Sequence, residues 1–128
     1  MIYILGNTGM LGSMVANTWE GEFTSYSREN FDATNPRWRN VEDAIQGKAT
    51  IVNCIGIIKP YCDDVENAIR VNSFFPYQLP AGTIQIATDC VYSGKKGNYV
   101  ETDLHDATDV YGKTKSLGEA IHVKNLRC

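Results

Sequence analysis

The sequence predicts an α/β fold built on a parallel sheet, and three observations lead there. Strand-like and helix-like stretches alternate along the 128-residue chain, the order that successive βαβ units produce. A nearly continuous apolar, β-branched run, TIVNCIGII from Thr50 to Ile58, is the pattern of a strand covered on both faces and belongs at the sheet centre. A short apolar run from Ile2 to Leu5 leads directly into Gly6, Gly9 and Gly12, as a first strand turning into a helix would.

Taken in order, Ile2 to Leu5 is the first strand, and a helix follows from about Gly12 to Trp19, with Met10, Leu11, Met14 and Val15 spaced to pack on a sheet. EFTSYS, Glu22 to Ser27, reads as a short second strand, and RENFDATNP after it as a polar loop. Asn35-Pro36 opens a helical stretch with Trp38, Val41, Ala44 and Ile45 at helical spacing and Gly47 as its stop. After the central strand, Asp63 and Asp64 mark a helix start. Val65, Ala68, Ile69, Asn72 and Phe75 then share one face until Pro76 and Pro80 end it near Leu79. TIQIATDCVY, Thr83 to Tyr92, is a further strand, and SGKKGN is a surface turn. The last helix begins at Asp109 or Val110 and runs through Tyr111, Lys115 and Glu119, and HVKNLRC opens one more strand.

With 43% hydrophobic and 21% charged residues, residues 1–128 are expected to form one globular domain. No apolar run approaches the ~20 residues that span a bilayer, and the first five residues are too short and too uncharged for a signal peptide. A cytoplasmic location without a membrane partner is the expectation. The formal charge of −3, with Lys and Arg scattered, argues against a nucleic-acid surface. Cys54, Cys62, Cys90 and Cys128 form no C-x-x-C pair and lie far from His105 and His122, which indicates reduced thiols and no metal site.

The glycines are spaced G-x-x-G-x-x-G, one residue wider at the first gap than the usual dinucleotide fingerprint. Glycine lacks the Cβ that would keep a phosphate from the backbone, and amides at the start of the following helix point at the anion. Gly6 is expected to make the tight turn, Gly9 to allow close approach and Gly12 to let helix and strand pack, with Thr8, Met10 and Leu11 completing the cofactor-binding turn. Tyr111 and Lys115, four residues apart on a helix, share one face and can act on one ligand. Chance supplies such a pair readily; its weight comes from the glycine turn, the central strand and Thr88 at the end of the preceding strand.

Several motifs in order, GNTGMLG (Gly6 to Gly12), FDATNP (Phe31 to Pro36), IVNCIG (Ile51 to Gly56), ATDCVYSG (Ala87 to Gly94), ETD (Glu101 to Asp103) and YGKTKSLGE (Tyr111 to Glu119), resemble the extended short-chain dehydrogenases/reductases. Within that superfamily the resemblance is to the dTDP-4-dehydrorhamnose reductase-like branch of sugar-nucleotide reductases and epimerases. It implies a Rossmann-type three-layer αβα fold and reduction of a 4-keto sugar nucleotide in dTDP-rhamnose biosynthesis, with hydride from a nicotinamide and the proton from Tyr111. By the same resemblance Lys115 lowers the phenol pKa and binds the nicotinamide ribose, and the Thr88 hydroxyl holds the substrate carbonyl. Asp32 matches an adenine contact, Asn53, Cys54 and Gly56 the strand end lining the cofactor cleft, and Asp89, Cys90 and Val91 the substrate side.

No acid follows the second strand, where one would bind a ribose 2′-hydroxyl. Ser27 and Arg28 stand there instead and suit a phosphate, which favours NADP with NAD possible; the alternative is that Arg28 is a solvated loop charge. Family chains normally continue well past the equivalent of Cys128, so the resemblance implies that the substrate-binding C-terminal region is missing. A homo-oligomer or partner chain would then complete the sheet. The connection from Asn72 to Thr88 is also shorter than usual, which makes Pro80-Ala81-Gly82 turn directly into the next strand. Two alternatives stay open: an epimerase or dehydratase using the same Tyr-Lys pair, and a non-catalytic dinucleotide-binding module.

Overall fold

Apolar β-branched residues do form the sheet centre: Ile51 and Val52 are buried, on a strand flanked by two others. The computed structural model describes residues 1–127; Cys128, on which the end of the expected last strand falls, lies outside the described residues. Strands β1 (Ile2–Leu5), β2 (Phe23–Tyr26), β3 (Thr50–Asn53), β4 (Ile84–Ala87) and β5 (Lys124–Arg127) form one sheet of order β2-β1-β3-β4-β5. Every pairing is parallel. The order reverses between β1 and β3, which opens a crevice beyond their carboxyl ends, the place where open parallel sheets bind ligands.

The helical elements are α1 (Met10–Thr18), α2 (Glu42–Ile45), α3 (Val65–Ala68), α4 (Phe75–Gln78) and α5 (Val110–Leu117). A π-helical run, Ile69–Phe74, joins α3 to α4, and Pro76, which has no N–H to give to the ladder, follows that run. Helix α1 starts two residues before the expected position because Gly9, extended at φ −75° and ψ 166°, is its N-cap. The helical stretch after Asn35-Pro36 is a 3₁₀ turn, Trp38–Val41, before α2. Among the described residues no helix is long and apolar enough to cross a membrane.

Two strands are shorter than their apolar runs. β3 stops at Asn53 rather than Ile58 because its neighbours stop: β1 turns at Gly6, and β4 pairs only with Val52 and Asn53. Beyond that point side chains take over the backbone polar groups, as buried amides require. Asn53 Oδ1 accepts the Ile55 N–H at 3.1 Å, and Asn72 accepts the Ile57 N–H at 2.8 Å and donates to its carbonyl at 2.9 Å. β4 likewise ends at Ala87 rather than Tyr92, and Thr88 caps a 3₁₀ turn, Asp89–Val91.

Alternation along the strands splits the core between the two faces. Tyr3, Leu5 and Ile51 join a cluster with Phe31, Val41, Val71, Phe75 and Leu79, while Ile4 and Val52 are buried on the other face. Phe31, inside the stretch read as a polar loop, is 1% exposed. Its ring meets Trp38 at 5.8 Å and Phe75 at 6.0 Å, both edge-on, contacts worth about 0.5–1.5 kcal/mol each beyond area burial. This anchor places the neighbouring Asp32 at the crevice.

Gly12 is buried, and a Cβ there would overlap the Gly6 carbonyl. Gly12→Ala must therefore push α1 off β1, at a cost of about 1–3 kcal/mol. A urea midpoint lower than that of the parent chain is the expected result; an unchanged midpoint would show that this close packing does not exist.

Candidate functional site

The crevice between β1 and β3 is built by glycine. Gly6 has φ +85°, the left-handed region, and a Cβ there would press on Ile55 and the Cys54 backbone. A Cβ on Gly9 would meet only the Gly6 carbonyl at 3.4 Å, leaving the space before it open. Gly9 caps α1 without any side-chain hydrogen bond, so the first amides of the helix keep their capacity for an anion. Gly6, Thr8, Gly9, Arg28, Asp32, Cys54 and Gly56 line this cleft together.

Other residues expected at the cofactor do not line this cleft with their side chains. Met10 is 89% exposed on α1, outside the lining, as are Leu11 and Ser27. Gly12 serves helix packing, as its contact with Gly6 shows. Asn53 is fully buried and donates to Gln85 Oε1 at 2.6 Å, so its amide is committed inside the sheet. The lining instead includes Thr34, Ile57 and Asn67, which the sequence pattern did not single out.

Arg28 and Asp32 form an ion pair at 3.6 Å on the cleft wall, with the Arg28 side chain 79% exposed. Partial burial would raise the Asp32 carboxyl, but the Thr34 N–H and hydroxyl, each at 2.8 Å, together with Arg28, hold it below its ordinary value. The pair is exposed enough to be worth little to stability, which leaves Arg28 able to turn to a ligand.

The second group gathers around the end of β4. Thr88 Oγ1 accepts the Cys90 N–H at 3.1 Å, and its hydroxyl lies near enough to the Tyr111 phenol to act on it. Lys115 is buried, and its Nζ donates to the Ile86 carbonyl at 2.8 Å. That amine lies 3.9 Å from where a Gly56 Cβ would stand, so it sits between the glycine cleft and the helix carrying Tyr111. Asp109 starts this helix by accepting the Gly112 N–H at 2.8 Å and pairs with Lys59 at 2.9 Å.

Burial raises the Tyr111 phenol above its ordinary value, only partly offset by the neighbouring Thr88 hydroxyl. This corrects the expectation of a phenol lowered by Lys115. Burial also lowers the Lys115 amine, against the opposing pull of Glu119, and its bond to Ile86 fixes it on the sheet.

On the expected substrate side, Asp89 and Cys90 line a second cleft with Tyr92, Tyr99, Glu101 and Arg127. Val91 does not reach it. It has no exposed surface, and its carbonyl accepts the Asp106 and Ala107 N–H groups at 3.1 and 3.0 Å. Asn72, which the spacing puts on an apolar helix face, is 2% exposed and also donates to Thr114 Oγ1 at 3.1 Å. The signal was available: an amide inside an otherwise apolar stripe needs partners.

A profile of the family described as RmlD substrate binding domain matches residues 1–127. No curated protein matches the sequence. Among solved structures, the chain is similar to a dTDP-4-dehydrorhamnose reductase from Clostridium acetobutylicum, with 25% identity and a TM-score of 0.80 over 98% of this chain and 52% of that one. A dTDP-4-dehydrorhamnose reductase from Bacillus anthracis in complex with NADP shares 21% identity, with a TM-score of 0.80 over 98% of this chain and 51% of that one. The Bordetella bronchiseptica enzyme WbmG, in complex with NAD and UDP, shares 17% identity, with a TM-score of 0.71 over 98% and 52%. The last two likenesses support the fold alone. The chain spans about half the length of these structures.

The buried amine makes a testable claim. Between its lowered native value and the ordinary lysine value of 10.5, the unfolded chain binds more protons than the native one, so stability rises with pH across that window and the full cost is present below it. Lys115→Met removes this term. The urea midpoint of the parent chain should gain on that of Lys115→Met as pH rises from neutrality toward 10, and a constant difference would show that the amine is not desolvated.

Proposed function

The chain belongs to the RmlD substrate binding domain family, within the short-chain dehydrogenases/reductases, and from that premise we propose that it binds NADP(H), accepts NAD(H), and reduces the 4-keto group of a nucleotide sugar. The observation that carries this reading is the placement of Lys115 Nζ beside Gly56 of the glycine cleft, on the same helix as Tyr111, whose phenol neighbours Thr88. One ligand lying over the β1 and β3 ends would reach all three side chains.

The residues present fit a dinucleotide. The open space at Gly9 and the uncapped start of α1 suit a pyrophosphate. The exposed Arg28 guanidinium at the cleft wall suits a 2′-phosphate, and the NADP in the Bacillus anthracis relative supports that choice. The bound nicotinamide supplies the hydride. Tyr111, with its phenol raised, carries its proton at neutral pH, the state required of a donor to a carbonyl oxygen. The Thr88 hydroxyl, beside the phenol, would hold the same oxygen next to it. The Lys115 amine, anchored on Ile86 and reaching Gly56, is placed to hold the ribose. Asp89 and Cys90, on the cleft next to Thr88, would meet the sugar.

Titration of the 128-residue chain with NADPH and NADH should show tighter binding of NADPH, with the preference reduced in Arg28→Gln. Gly9→Val fills the approach to the backbone and should abolish binding of both. With a dTDP-4-keto-6-deoxy sugar added, loss of reduced-cofactor absorbance is expected, and Tyr111→Phe should slow it on the order of 10²-fold or more with NADPH affinity unchanged. Tight NADPH binding without any oxidation would replace the enzyme reading with that of a dinucleotide-binding module.

A further inference from the structure

Arg127 pairs in register with Ala87 of β4, and its side chain continues the ladder where the strand itself has ended. Thr88 has turned away into the 3₁₀ turn, and Arg127 Nε donates to its carbonyl at 3.2 Å. The same guanidinium uses Nη2 to donate to Glu119 Oε1, and Nη2 lies 3.3 Å from His105 Nε2. Its carbon lies 5.6 Å over the Tyr92 ring. The Arg127 and Glu119 side chains are 23% and 17% exposed, so neither charge is left to bulk water and each depends on the other. Four segments meet at this one group: the end of β4, the chain just past α5, and two points of the loop between them.

We propose that Arg127 is a positioning residue, holding the Thr88 backbone so that the Thr88 hydroxyl stays beside the Tyr111 phenol, with Glu119 as the counter-charge that permits a guanidinium there. The inference rests on the reading of Thr88 and Tyr111 as the reacting pair. Guanidinium geometry is essential to it, because a planar fork can serve the carbonyl through Nε and the carboxylate through Nη2 at once, whereas an ammonium is a point charge. The other groups acting on Tyr111 are Cys62 and Lys59 from the loop before α3, and Asp89 and Cys90 from the 3₁₀ turn. Arg127 is absent from that set and reaches the phenol only through its bond to the Thr88 carbonyl.

The test uses the chain labelled with ring-¹³C tyrosine, the Tyr111 Cζ resonance being identified by its loss in Tyr111→Phe. Thr88→Ala should displace that resonance at neutral pH by removing the hydroxyl from the phenol. Arg127→Lys, which keeps the charge beside Glu119, should move it most of the way to the Thr88→Ala position. Arg127→Met with Glu119→Gln, which leaves no unpaired charge to compromise folding, should do the same. A resonance that stays at the parent position in both Arg127 variants, or that Thr88→Ala leaves in place, overturns the proposal. In the keto-sugar assay the Arg127 variants should lose on the order of tenfold in kcat, with NADPH affinity unchanged within about twofold. A parent chain without turnover would remove the reductase reading, and the resonance would still decide whether Arg127 positions Thr88.

Discussion

One buried amide, Asn72, holds the two halves of the site to each other. Its side chain takes both backbone groups of Ile57 in the segment after β3 and also reaches Thr114 on α5. Ser73 repeats the link by donating to the Thr114 carbonyl at 2.8 Å. Gly118 follows from this arrangement, since a Cβ there would overlap the Asn72 carbonyl. Each such hydrogen bond contributes about 1 kcal/mol net, but a lost partner leaves a buried polar group unsatisfied at about 1–3 kcal/mol. The distance between Gly56 and Lys115 is thus set by a polar network and not by apolar packing alone.

The strand ends do the rest. In a parallel sheet whose order reverses between β1 and β3, every strand delivers its last residue to the same edge, and the residues just beyond the strands border the crevice. Gly6, Cys54 and Thr88 all stand immediately after a strand. Beyond β3 the Ile55 and Ile57 backbone is held by Asn53 and Asn72, and beyond β4 Arg127 holds the Thr88 carbonyl. Burial then tunes the chemistry, raising the Tyr111 phenol and lowering the Lys115 amine. Both shifts favour neutral forms, which suits a proton donor better than a phenolate held ready beside an ammonium.

Local periodicity made much of this legible. The glycine turn after Leu5, the central run around Ile51 and the shared face of Tyr111 and Lys115 follow from residue type and spacing, because strand and helix repeats act over a few residues. The loop after β2 is legible as a loop, but the burial of Phe31 within it is not: Phe31 is one aromatic among polar neighbours, and its burial depends on Trp38 and Phe75 arriving from elsewhere.

The sequence by itself determined the alternation of strands and helices, the turn that opens the crevice, and the helix on which Tyr111 and Lys115 stand. Only the tertiary structure decided where β3 and β4 stop, that Asn53 and Val91 face inward, that Lys115 is tied to Ile86, and that Arg127 closes on Thr88. The physical reason is that an apolar run records what a segment can bury, whereas the end of a strand and the partner of a polar group depend on segments distant in the chain.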